Sequence, residues 1–273
     1  MALDRISQCF SACRDENRAA LGIFISAGDP NPETSEELLL GLPDAGADFV
    51  ELGMPFSDPM ADGPVIQAAS LRAIKAGMTL DKVLKMAARF RHRHPDVPLI
   101  LMGYYNPVYI YGVDQFLDDA MTAGVDGLIM VDLPPEEDDE LCLPATEKGM
   151  AFIRLITPTT NDKRLPTVIH NASGFVYYVS ITGITGTGSA SADSIANAMA
   201  RIRKASDLPA VVGFGIKDAD DVREAGRHAD GVVVGSAVVS IIAEHCDANG
   251  KAEPDTARKA LDLVKQLKTG TPR

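Results

Sequence analysis

Eight short runs rich in valine, isoleucine and leucine recur along the chain, and a longer segment of helical period follows each one. They are centred on 21–27, 48–52, 98–102, 127–131, 151–156, 175–179, 210–213 and 231–234. Strands that are apolar on both faces and alternate with helices belong to parallel sheets, because a parallel connection needs a crossover and the crossing helices cover the sheet. Eight such units predict an α/β fold, the closed (β/α)8 or TIM barrel. An open doubly wound sheet shares the alternation, but its Gly-x-Gly-x-x-Gly turn is missing after the first run, where Gly28-Asp29-Pro30-Asn31-Pro32 stands instead.

A weak internal repeat supports the barrel. Ala45-Gly46-Ala47-Asp48, Ala123-Gly124-Val125-Asp126 and Ala225-Gly226-Arg227-His228-Ala229-Asp230 each end a helical segment and precede a strand, and glycine just past a helix is a common C-terminal stop. The 273 residues suit one barrel domain spanning 1–273. Residues 1–20 are expected to hold an extra N-terminal helix, and 268–273, with Thr-Gly-Thr-Pro, to fray.

Composition excludes several functions. A formal charge of -12 repels nucleic acid and anionic membrane over most of the surface, while a cradle of backbone amides can still take an anionic small molecule. No apolar run approaches the roughly 20 residues that span a bilayer. Met1–Ser7 has no basic stretch leading into an apolar core, so the expectation is a cytoplasmic protein. Cys9, Cys13, Cys142 and Cys246 read as reduced thiols, and none of the five histidines has metal-ligand spacing, so no metal is expected. The acidic run 135–140 reads as the first turn of a helix, where the dipole favours negative charge.

Glu51 is the residue that composition does not explain. It ends the run Phe49-Val50-Glu51-Leu52, where side chains alternate faces, so Phe49 and Glu51 share one side. If that side is the barrel interior, a carboxylate stands among apolar walls at the C-terminal end of a strand, where barrel active sites lie. Burial would raise its pKa and fit it for acid-base work; the alternative is a core carboxylate tied to a backbone amide. In the loop that follows, Asp58 reads as a turn residue before Pro59, and Asp62, before Gly63-Pro64, as a helix N-cap. Glycine turns at 182–188, 213–215 and 235–237 suggest a phosphate cradle on one rim, with a short helix from Ser236 after the eighth strand, and 182–191 is long enough for a lid.

The stretch Glu51-Leu52-Gly53-Met54-Pro55-Phe56-Ser57-Asp58-Pro59-Met60-Ala61-Asp62-Gly63-Pro64 closely resembles the signature of the tryptophan synthase alpha chain family. Gly28-Asp29-Pro30, Tyr104-Tyr105-Asn106-Pro107, Asp132-Leu133-Pro134, Gly183-Ile184-Thr185-Gly186, Gly213-Phe214-Gly215-Ile216 and Gly235-Ser236-Ala237 follow in the family's order. The resemblance implies retro-aldol cleavage of indole-3-glycerol phosphate to indole and glyceraldehyde 3-phosphate, with no cofactor in this chain. It makes Glu51 the catalytic acid-base and Asp62 the acceptor of the indole N–H, in place of the cap. Around the indole it puts Phe24, Tyr104, Tyr177, Thr185 and Phe214, and on the phosphate Gly186, Gly215, Gly235 and Ser236.

The same resemblance implies a beta-chain partner that carries pyridoxal phosphate and receives the indole, in an alpha2beta2 heterotetramer, with Asp58, Asn106, Asp132 and Pro134 near the contact. One departure stands in the sixth loop, where Ile181 occupies a position that is often arginine in the family. A free-standing indole-3-glycerol-phosphate lyase and a non-catalytic phosphate-binding barrel are the competing expectations.

Overall fold

The structure, a computed structural model, describes residues 2–179, 192–213, 215–247 and 250–272. Its strands are β1 (Ala20–Ser26), β2 (Phe49–Gly53), β3 (Leu99–Gly103), β4 (Gly127–Met130), β5 (Ala151–Phe152), β6 (Arg154–Ile156), β7 (Val176–Val179), β8 (Ala210–Gly213) and β9 (Gly231–Val234). In space they run β5-β4-β3-β2-β1-β9-β8-β7-β6. The two edge strands are halves of one expected run, 151–156, parted only at Ile153. Because β5 pairs with β4 and β6 with β7, both in parallel, the break at Ile153 is where the sheet closes into the TIM barrel. Ile153 itself donates its N–H to Leu128 O at 2.9 Å.

Strand alternation sorts the core into two layers. Phe24, Phe49, Ile100, Ile129, Tyr177 and Val233 fill the barrel interior, while Val50, Leu52, Leu101 and Val232 face the surrounding helices. The expected N-terminal helix, Ala2–Asp15, stops the bottom of the barrel with Ile6, Phe10 and Cys13. Phe10 lies 5.8 Å from Phe49 and 5.6 Å from Phe175 between ring centroids, and those two rings are 5.5 Å apart. Gly22 makes this floor possible, since a Cβ there would sit 2.3 Å from the Phe49 ring.

The repeat seen in the sequence is a structural device. Asp48 gives its N–H to Leu21 O and takes the Leu21 N–H on its carboxylate, both at 2.8 Å. Asp126 does the same with Leu99, and Asp230 with Ala210. Ser173, through its hydroxyl, repeats the pattern with Phe152. Each member tethers the first residues of one strand to the residue entering the next, so four tethers join the strands of the barrel in pairs. The carboxylates are neutralised as well: Arg18 and Lys268 hold Asp48, Arg5 and Arg91 hold Asp126, and Arg203 approaches Asp230.

Two expectations are corrected here. The tail does not fray over Lys268–Pro272: Lys268 Nζ donates to Asp48 at 2.8 Å, Thr271 is 2% exposed and accepts the Ala19 N–H, and Pro272 bridges to Arg18. Its small residues serve close packing, because a Cβ on Gly270 would meet Ala219 O at 2.1 Å. The acidic run Pro135–Glu140 is a separate 3-10 turn ahead of the helix Cys142–Glu147. Asp138 within it is buried, pairing with Arg154 and accepting from Asn171 Nδ2 at 2.7 Å, so its charge answers a buried guanidinium and not a helix dipole.

Candidate functional site

Glu51 sits in β2 between Phe24 of β1 and Ile100 of β3 and points inward as its parity with Phe49 requires. It is 0% exposed, and among the described residues neither carboxylate oxygen has a hydrogen-bond partner. The alternative of a core carboxylate tied to an amide is therefore not what forms. Burial pushes its pKa up to about 8, so at neutral pH the carboxyl is mostly protonated and able to give a proton.

The side chain ends at a cavity of about 590 Å³ that opens at the C-terminal mouth and is also lined by Phe24, Asp62, Tyr177, Gly215 and Gly235. Gly213 makes room for Tyr177, since a Cβ there would fall 2.0 Å from the phenol oxygen. Burial, and then the Glu51 charge, push the Tyr177 phenol well above its ordinary value, so it stays a neutral group in the wall.

Asp62 reaches the same cavity from the loop after β2. Tyr104 Oη donates to Asp62 Oδ2 at 3.1 Å and accepts the Ala61 N–H at 3.1 Å. The loop is further pinned by Asp62 N–H to Pro59 O and by Gln67 Nε2 to Asp62 O. Burial raises the Asp62 pKa, and the Tyr104 hydrogen bond opposes that rise. The N-cap expectation is overturned: Gly63 occupies the cap of the helix Pro64–Lys75 with no side-chain hydrogen bond, and Pro64 starts it. Asp62 lies one residue too early to cap and turns into the cavity. Tyr104 serves the site through Asp62, lining a smaller space beside Phe56 and Met54.

At the opposite rim, Gly215 adopts φ +79°, a turn that favours glycine. Gly235 precedes the helix Ser236–Glu244, which starts without a side-chain cap, so its first amides have no intrahelical partner. Such amides attract anions. Thr185, Gly186, Phe214 and Ile181, with the expected lid, lie outside the described residues. Sequence reasoning missed Lys217, Ile66 and Met102 in the cavity wall. Met102 was open to discovery, since it has the parity of Ile100 on β3.

Asp58, Asn106, Asp132 and Pro134 are all exposed, Asp58 on the loop after β2, Asn106 in the helix that follows β3, and Asp132 and Pro134 on the loop after β4. Asp132 also accepts the Tyr105 N–H at 2.8 Å, at the start of the helix Tyr105–Tyr111. Met60 (74%) on the loop after β2 and Tyr109 (61%) and Ile110 (75%) in that helix are exposed as well, apolar residues that the sequence reading did not single out. Among the described residues, no cluster of His, Cys, Asp and Glu is placed to hold a metal, and no helix is long and apolar enough to cross a membrane.

Fold and cavity together define a TIM-barrel protein with a buried carboxyl facing a cavity at the C-terminal mouth. Comparison with known proteins narrows this. The profile of the tryptophan synthase alpha chain family matches residues 10–271. Tryptophan synthase subunit alpha of Legionella pneumophila str. Paris is similar at 37% identity and TM-score 0.88, covering 97% of both chains. A protein of Aquifex aeolicus VF5 is similar at 36% identity and TM-score 0.88, over 98% of this chain and 99% of its own. The aminoacrylate-bound tryptophan synthase of M. tuberculosis matches at 30% identity and TM-score 0.86, over 98% of this chain and 99% of the matching one. The chain belongs to the tryptophan synthase alpha chain family.

Proposed function

We propose that this protein is the alpha subunit of a tryptophan synthase and cleaves indole-3-glycerol phosphate by a retro-aldol reaction. The observation that carries the reading is Glu51, fully buried, unpartnered and facing the cavity. Protonated Glu51 gives its proton to the indole carbon that bears the side chain. The bond from that carbon to the glycerol chain then breaks, and the hydroxyl on the adjacent carbon loses its proton to the same carboxylate as the aldehyde forms. Proton in and proton out balance on one group, a task for a carboxyl with its pKa near the working pH. Asp62, ionised, accepts the indole N–H and stabilises the positive charge that protonation creates in the ring. Phe24 and Tyr177 wall the indole, and the amides at Gly215, Gly235 and Ser236 take the phosphate. None of these steps calls for a cofactor in this chain.

The indole passes to a beta chain that carries pyridoxal phosphate, in an alpha2beta2 assembly working in the cytoplasm. Exposed Met60, Tyr109 and Ile110 beside Asp58, Asn106, Asp132 and Pro134 favour this partner over a free-standing lyase, since apolar residues grouped on one rim point to a contact surface. The test is indole release from indole-3-glycerol phosphate by the chain alone and with a pyridoxal-phosphate beta chain, with Glu51→Gln as control. Slow release that rises with the beta chain and disappears in the variant is the expected result. Normal turnover by Glu51→Gln would remove the mechanism, and fast release indifferent to the beta chain would remove the partner.

A further inference from the structure

The cavity's charges do not balance. Among its described lining residues are Glu51, which burial keeps mostly protonated at neutral pH, two further carboxylates, Asp62 and Glu244, and a single cation, Lys217. The whole chain adds a formal charge of -12. A phosphate monoester entering such a cavity meets repulsion that amide dipoles offset only in part, since a helix start carries about half a positive charge. Lys217 stands two residues after Gly215, and both line the cavity with Gly235 and Ser236. Its backbone is fixed by the Lys217 N–H donating to Asp221 Oδ2 at 2.9 Å, at the entrance to the helix Ala219–Gly226. The Lys217 side chain is exposed at the cavity rim, and among the described residues its ammonium has neither hydrogen-bond nor ion-pair partner.

We propose that Lys217 is a specificity-determining residue that supplies the full positive charge at the phosphate end of the cavity and so selects phosphate monoesters over their neutral analogues. This rests on the reading of the cavity as a phosphate-ester site. Glu51, buried and unpartnered in the same cavity, is the independent sign that a ligand belongs there. A lysine ammonium is a compact, flexible point charge, suited to follow a phosphate that the backbone amides orient. The reacting bond lies at the Glu51 end, so Lys217 acts on binding and leaves the chemical step alone.

The experiment uses the full chain and two readouts. Calorimetry with glycerol 3-phosphate measures affinity without turnover, and steady-state kinetics separates KM from kcat. For Lys217→Met the expected result is glycerol 3-phosphate affinity and KM weaker by about tenfold, typical for loss of one charge-assisted contact. kcat should stay within about twofold, the salt dependence of binding should flatten, and Lys217→Arg should recover most of the affinity. If the wild type binds glycerol 3-phosphate and Lys217→Met binds it equally well, the proposal is overturned and the proposed reaction is untouched. If the wild type binds but releases no indole, and Lys217→Met still weakens binding, the reaction is wrong and the role of Lys217 stands. A wild type that binds no phosphate monoester overturns both.

Discussion

The two ends of the barrel treat their carboxylates in opposite ways. At the N-terminal end, Asp48, Asp126 and Asp230 each take a backbone N–H of the preceding strand and a cationic side chain. At the C-terminal end, among the described residues, Glu51 has no partner and Asp62 has the Tyr104 phenol and no cation. The same chemical group is thus ion-paired as a fastener at one end, while at the other Glu51 faces the cavity with its pKa raised by burial. Burial alone does not distinguish them, since Asp126 and Glu51 are both fully buried. What differs is whether the fold supplies the countercharge.

Substitutions at the two ends should therefore separate activity from stability. The largest effect is expected for Glu51→Gln, with turnover reduced by about a thousandfold or more, within the span of general acid-base contributions, and substrate affinity retained by calorimetry. At the other end, Asp126→Ala takes the carboxylate from Arg5 and Arg91 and frees the Leu99 N–H. It should destabilise by about 3–5 kcal/mol in denaturant titration, with kcat per folded molecule unchanged. A variant that unfolds no sooner would remove the distinction between the ends.

The pH dependence of stability sharpens the contrast. Glu51 has a folded pKa of about 8 against an ordinary 4.5, so the folded state holds the proton more tightly. Its contribution to stability is fully present below pH 4.5 and is lost as pH rises through about 8. The stability of Glu51→Gln relative to wild type should climb across that window by an amount on the order of 4 kcal/mol, read from parallel denaturant titrations. A flat difference would place the carboxyl in water. The smallest effect is expected for Tyr104→Phe, which removes one phenol from Asp62. Turnover should fall by about tenfold, with the acid limb of its pH profile moved upward, because the hydrogen bond that holds the Asp62 pKa down is gone.

The sequence made the inward face of β2 readable, because strand parity needs nothing beyond neighbouring residues. It left Asp62 ambiguous for a definite reason: Asp-Gly-Pro before a helix suits a cap equally well, and only the position of Tyr104, from the next strand, shows where the side chain turns. Asp48, Asp126 and Asp230 were visible as a repeat, but their partners lie 20 to 27 positions away, so the tether was not. The tail was misjudged because small and polar residues suggest disorder by composition, whereas here they permit contact with Ala219 and Ala19. Lys217 escaped notice because a cavity wall gathers residues from distant segments, and no local pattern marks a lysine at its rim.

The central claim is that burial keeps Glu51 protonated, whereas the fold gives Asp48, Asp126 and Asp230 at the other end cationic partners. Its most direct test is a carbon-13 NMR titration of side-chain carboxyls in the folded chain, with Glu51 assigned by its loss in Glu51→Gln. A midpoint for Glu51 near 8 is the predicted result. A midpoint near 4.5 would contradict the account, because the carboxyl would then be an ordinary anion at neutral pH with no proton to give.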